Sequence, residues 1–236
     1  MPKFPDLAEY AAAIAPIIDA AHVNVHASAL KAVTELAETS GVTPGLLSDL
    51  RFVFPLRPVT RGQLGSIYRY GGADVQEQVR TGTLVENDGV LRLTTEGLEF
   101  IHRLYELHGA AAERVWGGHD LPALAGLVGR VLDQAGRLPG AGSGALAAVA
   151  PPYEPEWAAP GVLLFNRLAV LRYHRADAHA AAWQAAGLSA AEIVGLRNGP
   201  LRAGIEADTN LRAGAAYEVL SAEERDTLYD GLLKLV

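Results

Sequence analysis

The sequence predicts a mainly α protein carrying one small β unit. Three observations carry this. Apolar residues recur at helical spacing over most of the 236 residues. A serine or threonine followed three residues later by glutamate or glutamine, the signature of a helix start, occurs at Thr60, Ser189 and Ser221. Only "TLVENDGVLRLT", from Thr83 to Thr94, shows two short alternating runs around an Asp-Gly pair, which is a two-residue hairpin signal.

Each element follows in order. Residues 6–38 are Ala-rich, with Leu7, Ala11, Ile14, Ile17, Ile18, Ala21, Val25, Leu30, Val33 and Leu36 on one stripe. They read as one or two helices with a bend at Pro16, closed at Ser40-Gly41. A short helix is expected over 44–54, entered at Pro44, and "FPLRPVT" is a stiff connector. Thr60 and Gln63 open a helix whose inner stripe is Leu64, Ile67 and Tyr68. Gly71-Gly72 permits a sharp turn. A second helix over 73–81 is expected to bury Val75 and Val79 and to stop at Gly82. After the hairpin, Thr94 or Thr95 caps a long helix through Trp116. A further helix is expected within 117–135, then a Gly/Pro-rich connector to 160. A strong helix at 161–186 and two shorter capped helices complete the chain. The predicted units are an N-terminal helical segment (1–43), a helix-turn-helix with hairpin (44–116), a helix plus connector (117–160) and a C-terminal helical domain (161–236).

Composition removes several classes. There is no cysteine, so no disulfide framework and no Cys-ligated zinc site. The only early apolar run, "YAAAIAPII", is too short for a bilayer and is flanked by Glu9 and Asp19. The chain therefore reads as soluble and cytoplasmic, with no membrane partner. Its net charge of −7 argues against general affinity for nucleic acid, because phosphate contacts supply most of that affinity. Charge is uneven, however. Residues 50–103 hold seven arginines against six acids, while the flanking parts are each acidic by four.

Residues 44–105 resemble the MarR-type winged-helix family. "VTRGQLGSI" matches its positioning helix, "ADVQEQVRTGTLVEN" its recognition helix and first wing strand, and "GVLRLTTEGLEFI" the second strand and exit helix. The resemblance implies a winged helix-turn-helix embedded in a helical protein, a homodimer, and double-stranded DNA as partner. It places the second helix in a major groove. On a helical wheel Arg80, Gln76 and Glu77 then face bases: Arg80 suits guanine, Gln76 adenine and Glu77 a cytosine amine. Arg61, Arg69 and Arg92 suit phosphates. A carboxylate at 77 repels phosphate unless Arg80 offsets it.

A second dense spot is "LRYHRADAHAAAWQAAGL", 171–188. Leu168, Arg172, Arg175 and His179 share one helix face, and His174 and Asp177 lie one turn apart on another. Leu171, Arg172, His174, Arg175, Ala176, Asp177, His179, Gly187 and Leu188 resemble the pattern of the SalK-like helix-turn-helix family, which implies a fold and no mechanism. Two readings stay open for Arg172, His174, Arg175, Asp177 and His179. They hold a small anionic ligand, as arginine forks do, or they form a buried ion-pair network. The functional expectation is a DNA-binding transcription regulator gated by such a ligand. The alternative is a helical binding protein or enzyme that keeps the winged helix as scaffold, and a third option is a protein-docking module.

No catalytic residue, cofactor or metal is assigned. His22 and His26 have helical spacing for a metal but no matching carboxylate, and read as interface histidines. "GAGSG" at 140–144 lacks the lysine of a phosphate loop, and no serine sits in a nucleophile elbow. Trp116, Trp157 and Trp183 are read as core or domain-contact residues.

Overall fold

The long Ala-rich stripe forms one unbroken helix, α1 (Leu7–Ser40), in a computed structural model that describes residues 3–236. Asp6 caps its start by accepting from Glu9 N, and Gly41 ends it in the left-handed conformation. Pro16 lies inside α1 and does not divide it. Pro16 is itself exposed, while Ile14, Ile17 and Ile18 beside it are buried, so the ring lies on the solvent side. Tertiary packing of that apolar stripe outweighs the one lost backbone bond.

Helix α2 is only Gly45–Asp49, shorter than expected. The chain then winds through turns that bury Leu50, Arg51, Phe52, Val53 and Phe54 together. Five consecutive buried residues depart from the one-face spacing on which the longer helix was expected. Strand β1 (Val59–Thr60) leads into α3 (Arg61–Ile67), where Thr60 and Gln63 complete the capping box. Helix α4 (Val75–Arg80) is capped by Asp74. Strands β2 (Leu84–Asn87) and β3 (Val90–Leu93) form the hairpin, with positive φ at Asp88 and Gly89 as a tight turn of this hand requires. The antiparallel order is β1-β3-β2, with Val59 opposite Leu91 and Val85 opposite Arg92. The fold is thus mainly α with a small β wing.

Helix α5 (Thr95–Trp116) leaves the wing from a Thr94 cap, and α6 (Leu121–Ala135) starts at Asp120. The predicted connector contains a buried helix, α7 (Ala145–Val149), whose Ala145, Leu146, Ala148 and Val149 join the interior. Small side chains let this stretch enter the core, which its Gly/Pro content concealed. Helix α8 (Pro160–Ala185) runs through the centre, against α1, α5, α6, α7 and α10. Then come α9 (Ala190–Gly195), α10 (Pro200–Gly214) and α11 (Ala222–Leu233), with capping boxes at Ser189/Glu192 and Ser221/Glu224.

One contiguous apolar cluster reaches from Tyr10 to Leu235, and a smaller one joins Trp183 to Ile193 and Ile205. Trp116 is fully buried and donates to Leu235 O. Trp183 is buried too, but Trp157 is exposed, its ring edge resting on His102 and Tyr105. No helix among the described residues is long and apolar enough to cross a membrane.

Candidate functional site

The winged-helix face comes first. Val75 and Gln78 are the buried residues of α4, and Val79 is exposed, contrary to the expectation that both valines face the core. Gln78 earns its place by hydrogen bonds: its Nε2 donates to Thr43 O at 2.8 Å and its Oε1 accepts from Thr83 Oγ1 at 2.8 Å. A buried amide satisfied at both ends is tolerated where an unsatisfied one is not. The core side of α4 is therefore turned toward Gln78, and the outward side is Gln76, Val79 and Arg80. Glu77 sits on the shoulder. It accepts from Thr43 Oγ1 and takes both arms of Arg80, at 2.8 and 2.6 Å, which hold its carboxyl below the usual range. Asp74, the other acid, is the helix cap.

The four arginines assigned to DNA have different surroundings. Arg61 forks Glu86 on the wing at 2.7 and 2.6 Å. Arg80 stays largely exposed while pairing with Glu77. Arg92 is exposed, and alone of the four makes no ion pair among the described residues. Arg69 turns the other way and meets Asp177 of α8 at 3.1 Å.

The second constellation does come together. A cleft of about 400 Å³ opens between α1, α8 and α10, lined by Arg172, His174, Arg175 and His179, with Asp19 and Glu206 opposite. Arg172 Nε donates to Asp19 at 2.6 Å and its Nη1 to His22 Nδ1 at 3.2 Å. Arg175 donates to Asn210 at 2.8 Å and to Glu206 at 3.4 Å. His174 is buried and meets Ala213 O at 3.2 Å, so it ties α8 to α10, and burial lowers its pKa.

His179 belongs to a chain that begins in the winged helix. Trp183 Nε1 donates to Tyr70 Oη at 2.9 Å, leaving the Tyr70 proton for His179 Nδ1 at 3.1 Å. That assignment puts the His179 proton on Nε2, toward Glu206 at 3.7 Å. Burial lowers the His179 pKa, and Glu206 partly opposes the shift. Tyr70 also lines the cleft. Sequence reasoning missed Tyr70 and Glu206, because neither carries a local signal and Tyr70 lies 109 residues from its partner.

Asp177 stands apart from the cleft. Its carboxylate accepts from Ala145 N and Leu146 N at 2.9 and 2.8 Å, capping α7 from another helix, and also holds Arg69. A Cβ on Gly144 would lie 2.2 Å from this carboxylate, so that position needs glycine for close approach. Replacing Asp177 with alanine strands two amides and an arginine. The expected loss is about 2–4 kcal/mol in urea melts, and Asp177→Asn should recover part of it.

Among the described residues no group of three or more metal-ligating side chains occurs. Comparisons with protein-family models, with curated proteins and with solved structures find no match to this chain.

Proposed function

We propose that the protein is a DNA-binding regulator of winged-helix type, acting as a homodimer, in which a small anionic ligand in the α8–α10 cleft controls the recognition helix. The observation that carries this reading is the attachment of the turn between α3 and α4. Arg69 is bound to Asp177 and Tyr70 to His179 and Trp183, so the cleft wall and the helix-turn-helix share side chains. A ligand that engages His179 competes with its bond to Tyr70 and shifts the balance between positions of α4. The outward residues Gln76 and Arg80 and the unpaired wing residue Arg92 supply base and phosphate contacts. Arg80 offsets Glu77, which relieves the repulsion from phosphate. Val23 and Leu30 are large, apolar and exposed on the outer side of α1, Leu30 against the expectation that it joins the inner stripe, and this suits a partner copy.

Fluorescence anisotropy with the DNA upstream of the protein's own reading frame tests this. Binding should weaken steeply with salt. Arg80→Ala should reduce affinity by roughly tenfold, about 1–3 kcal/mol for a lost base contact. Tyr70→Phe should leave DNA affinity in place and blunt its response to ligand. Absence of salt-sensitive binding at low micromolar protein would overturn the reading.

A second reading is favoured by a specific observation: Arg61 and Arg80 are both held by carboxylates of their own unit. On that reading the wing is scaffold and the cleft is the whole function. It predicts ligand binding that is indifferent to DNA.

A further inference from the structure

The interior holds a positive charge with no carboxylate against it. Arg51 is 2% exposed. Its Nε donates to Asn166 Oδ1 at 2.9 Å and its Nη1 to Ser48 O at 2.6 Å, both neutral acceptors. Among the described residues no carboxylate lies within 4.0 Å of it. Asp49, nearby in sequence, is exposed and accepts from Tyr68 Oη. The guanidinium rests on Phe165, 4.2 Å from the ring centre. An arginine stays charged at any physiological pH, and an uncompensated buried charge is among the most costly features a fold can carry.

The polar atoms around it are short of acceptors. Arg51 Nη2, Asn166 Nδ2, Ser48 Oγ, His22 Nε2 and His108 Nε2 are buried and find no protein partner. Both imidazoles stack on Phe165, at 4.6 and 4.9 Å, so the five residues form one cluster where α1, α2, α5 and α8 meet. Their protons can be assigned. His108 Nδ1 faces Leu104 O at 2.8 Å and must donate, which leaves Nε2 a bare acceptor. His22 Nδ1 faces the Arg172 guanidinium and must accept, which makes Nε2 a donor. Asn166 Oδ1 is taken by Arg51, so Nδ2 presents donors. The cluster thus offers donors from Arg51, Asn166 and His22, a hydroxyl of either sense, and one acceptor, around a net positive charge.

We propose that this cluster is an internal site for a small monovalent anion, a halide or a carboxylate of a few atoms. The charge calls for an anion, and the surplus of donors calls for lone pairs. Burial of Arg51, Asn166 and His108 suits an occupant of a few heavy atoms. The single acceptor on His108 suits an anion that also carries a hydroxyl, which favours bicarbonate over formate and chloride. The site is separate from the α8–α10 cleft and stands whether or not the protein binds DNA.

The test is thermal unfolding of the full chain at pH 8 and constant ionic strength. Gluconate, too large to enter, is replaced stepwise by chloride, bromide, formate or bicarbonate. Wild type should gain a saturable rise of about 5 °C as one of these fills the site. The order among the four distinguishes a halide site from a carboxylate site. Asn166→Asp puts a carboxylate beside Arg51 at nearly the same shape, so it should be stabilised in gluconate and lose the saturable response. Bromide anomalous scattering from wild-type crystals, which needs no variant to fold, should give a peak beside Arg51. A wild-type melting temperature indifferent to all four anions, a response that persists unchanged in Asn166→Asp, or crystals with only ordered water beside Arg51 would each overturn the proposal.

Discussion

Lowering the pH from 7 to 5 is expected to cost the folded protein about 4 kcal/mol, on account of His22 and His108 alone. Burial, followed by Arg51, holds the His108 pKa well below its ordinary value. Burial, followed by Arg51 and Arg172, pushes His22 down to about 2. Both are therefore neutral in the folded protein across this range. The unfolded chain takes up a proton on each as pH falls through about 6.5. Stability then declines with falling pH, by about 1.4 kcal/mol per unit for each histidine once well below 6.5. For His22 the decline continues to about pH 2. The groups facing His108 are Arg51, His26 and the Leu104 carbonyl, and no carboxylate among them reverses the sign. Urea melts between pH 8 and 5 read the slope. His108→Leu should reduce it by about 1.4 kcal/mol per pH unit once well below 6.5, whatever it does to stability at pH 8. A slope unchanged in that variant would place the pH dependence elsewhere.

Gly97→Ala is expected to destabilise by about 3 kcal/mol, the upper part of the range for overpacking. Gly97 lies in the first turn of α5, and a Cβ there would sit 2.3 Å from Thr83 O and 2.6 Å from Leu93 Cδ1. The leucine can rotate, but the carbonyl cannot yield easily. Thr83 O accepts from Thr94 N and Thr94 Oγ1, both at 3.1 Å, and Thr94 is the cap of α5. The wing and its exit helix thus touch backbone to backbone. The methyl must push them apart and loosen the cap. Thermal melts give the magnitude. Hydrogen exchange should show the loss concentrated at Leu84–Leu93 and the start of α5.

Much of the fold was legible because its signals are local. The caps at Thr60, Ser189 and Ser221, the Asp88-Gly89 turn and the stripe of α1 each announce themselves within a few residues. Failures came where tertiary contacts decide. Val79 and Gln78 exchange places because Thr43 and Thr83, 35 and 5 residues away, satisfy the amide of Gln78. Helix α7 is invisible in a Gly/Pro-rich run because its cap comes from Asp177, some thirty residues on. At the site, Arg172, Arg175 and His179 could be grouped because they lie on one helix face. Their partners Asp19, Tyr70 and Glu206 come from distant segments, and no periodicity links them. Nothing local in the sequence marks Arg51 as buried; only packing makes it a core residue.

The fastening of Arg69 and Tyr70 onto α8 bears on how this architecture can change over time. A small unit joined to its neighbour only by a covalent tether can be shuffled between proteins as a cassette. Here excision would abandon an aspartate that organises another helix and bare the indole of Trp183. Drift in the two halves must therefore be matched, with each substitution at the turn answered on the long central helix.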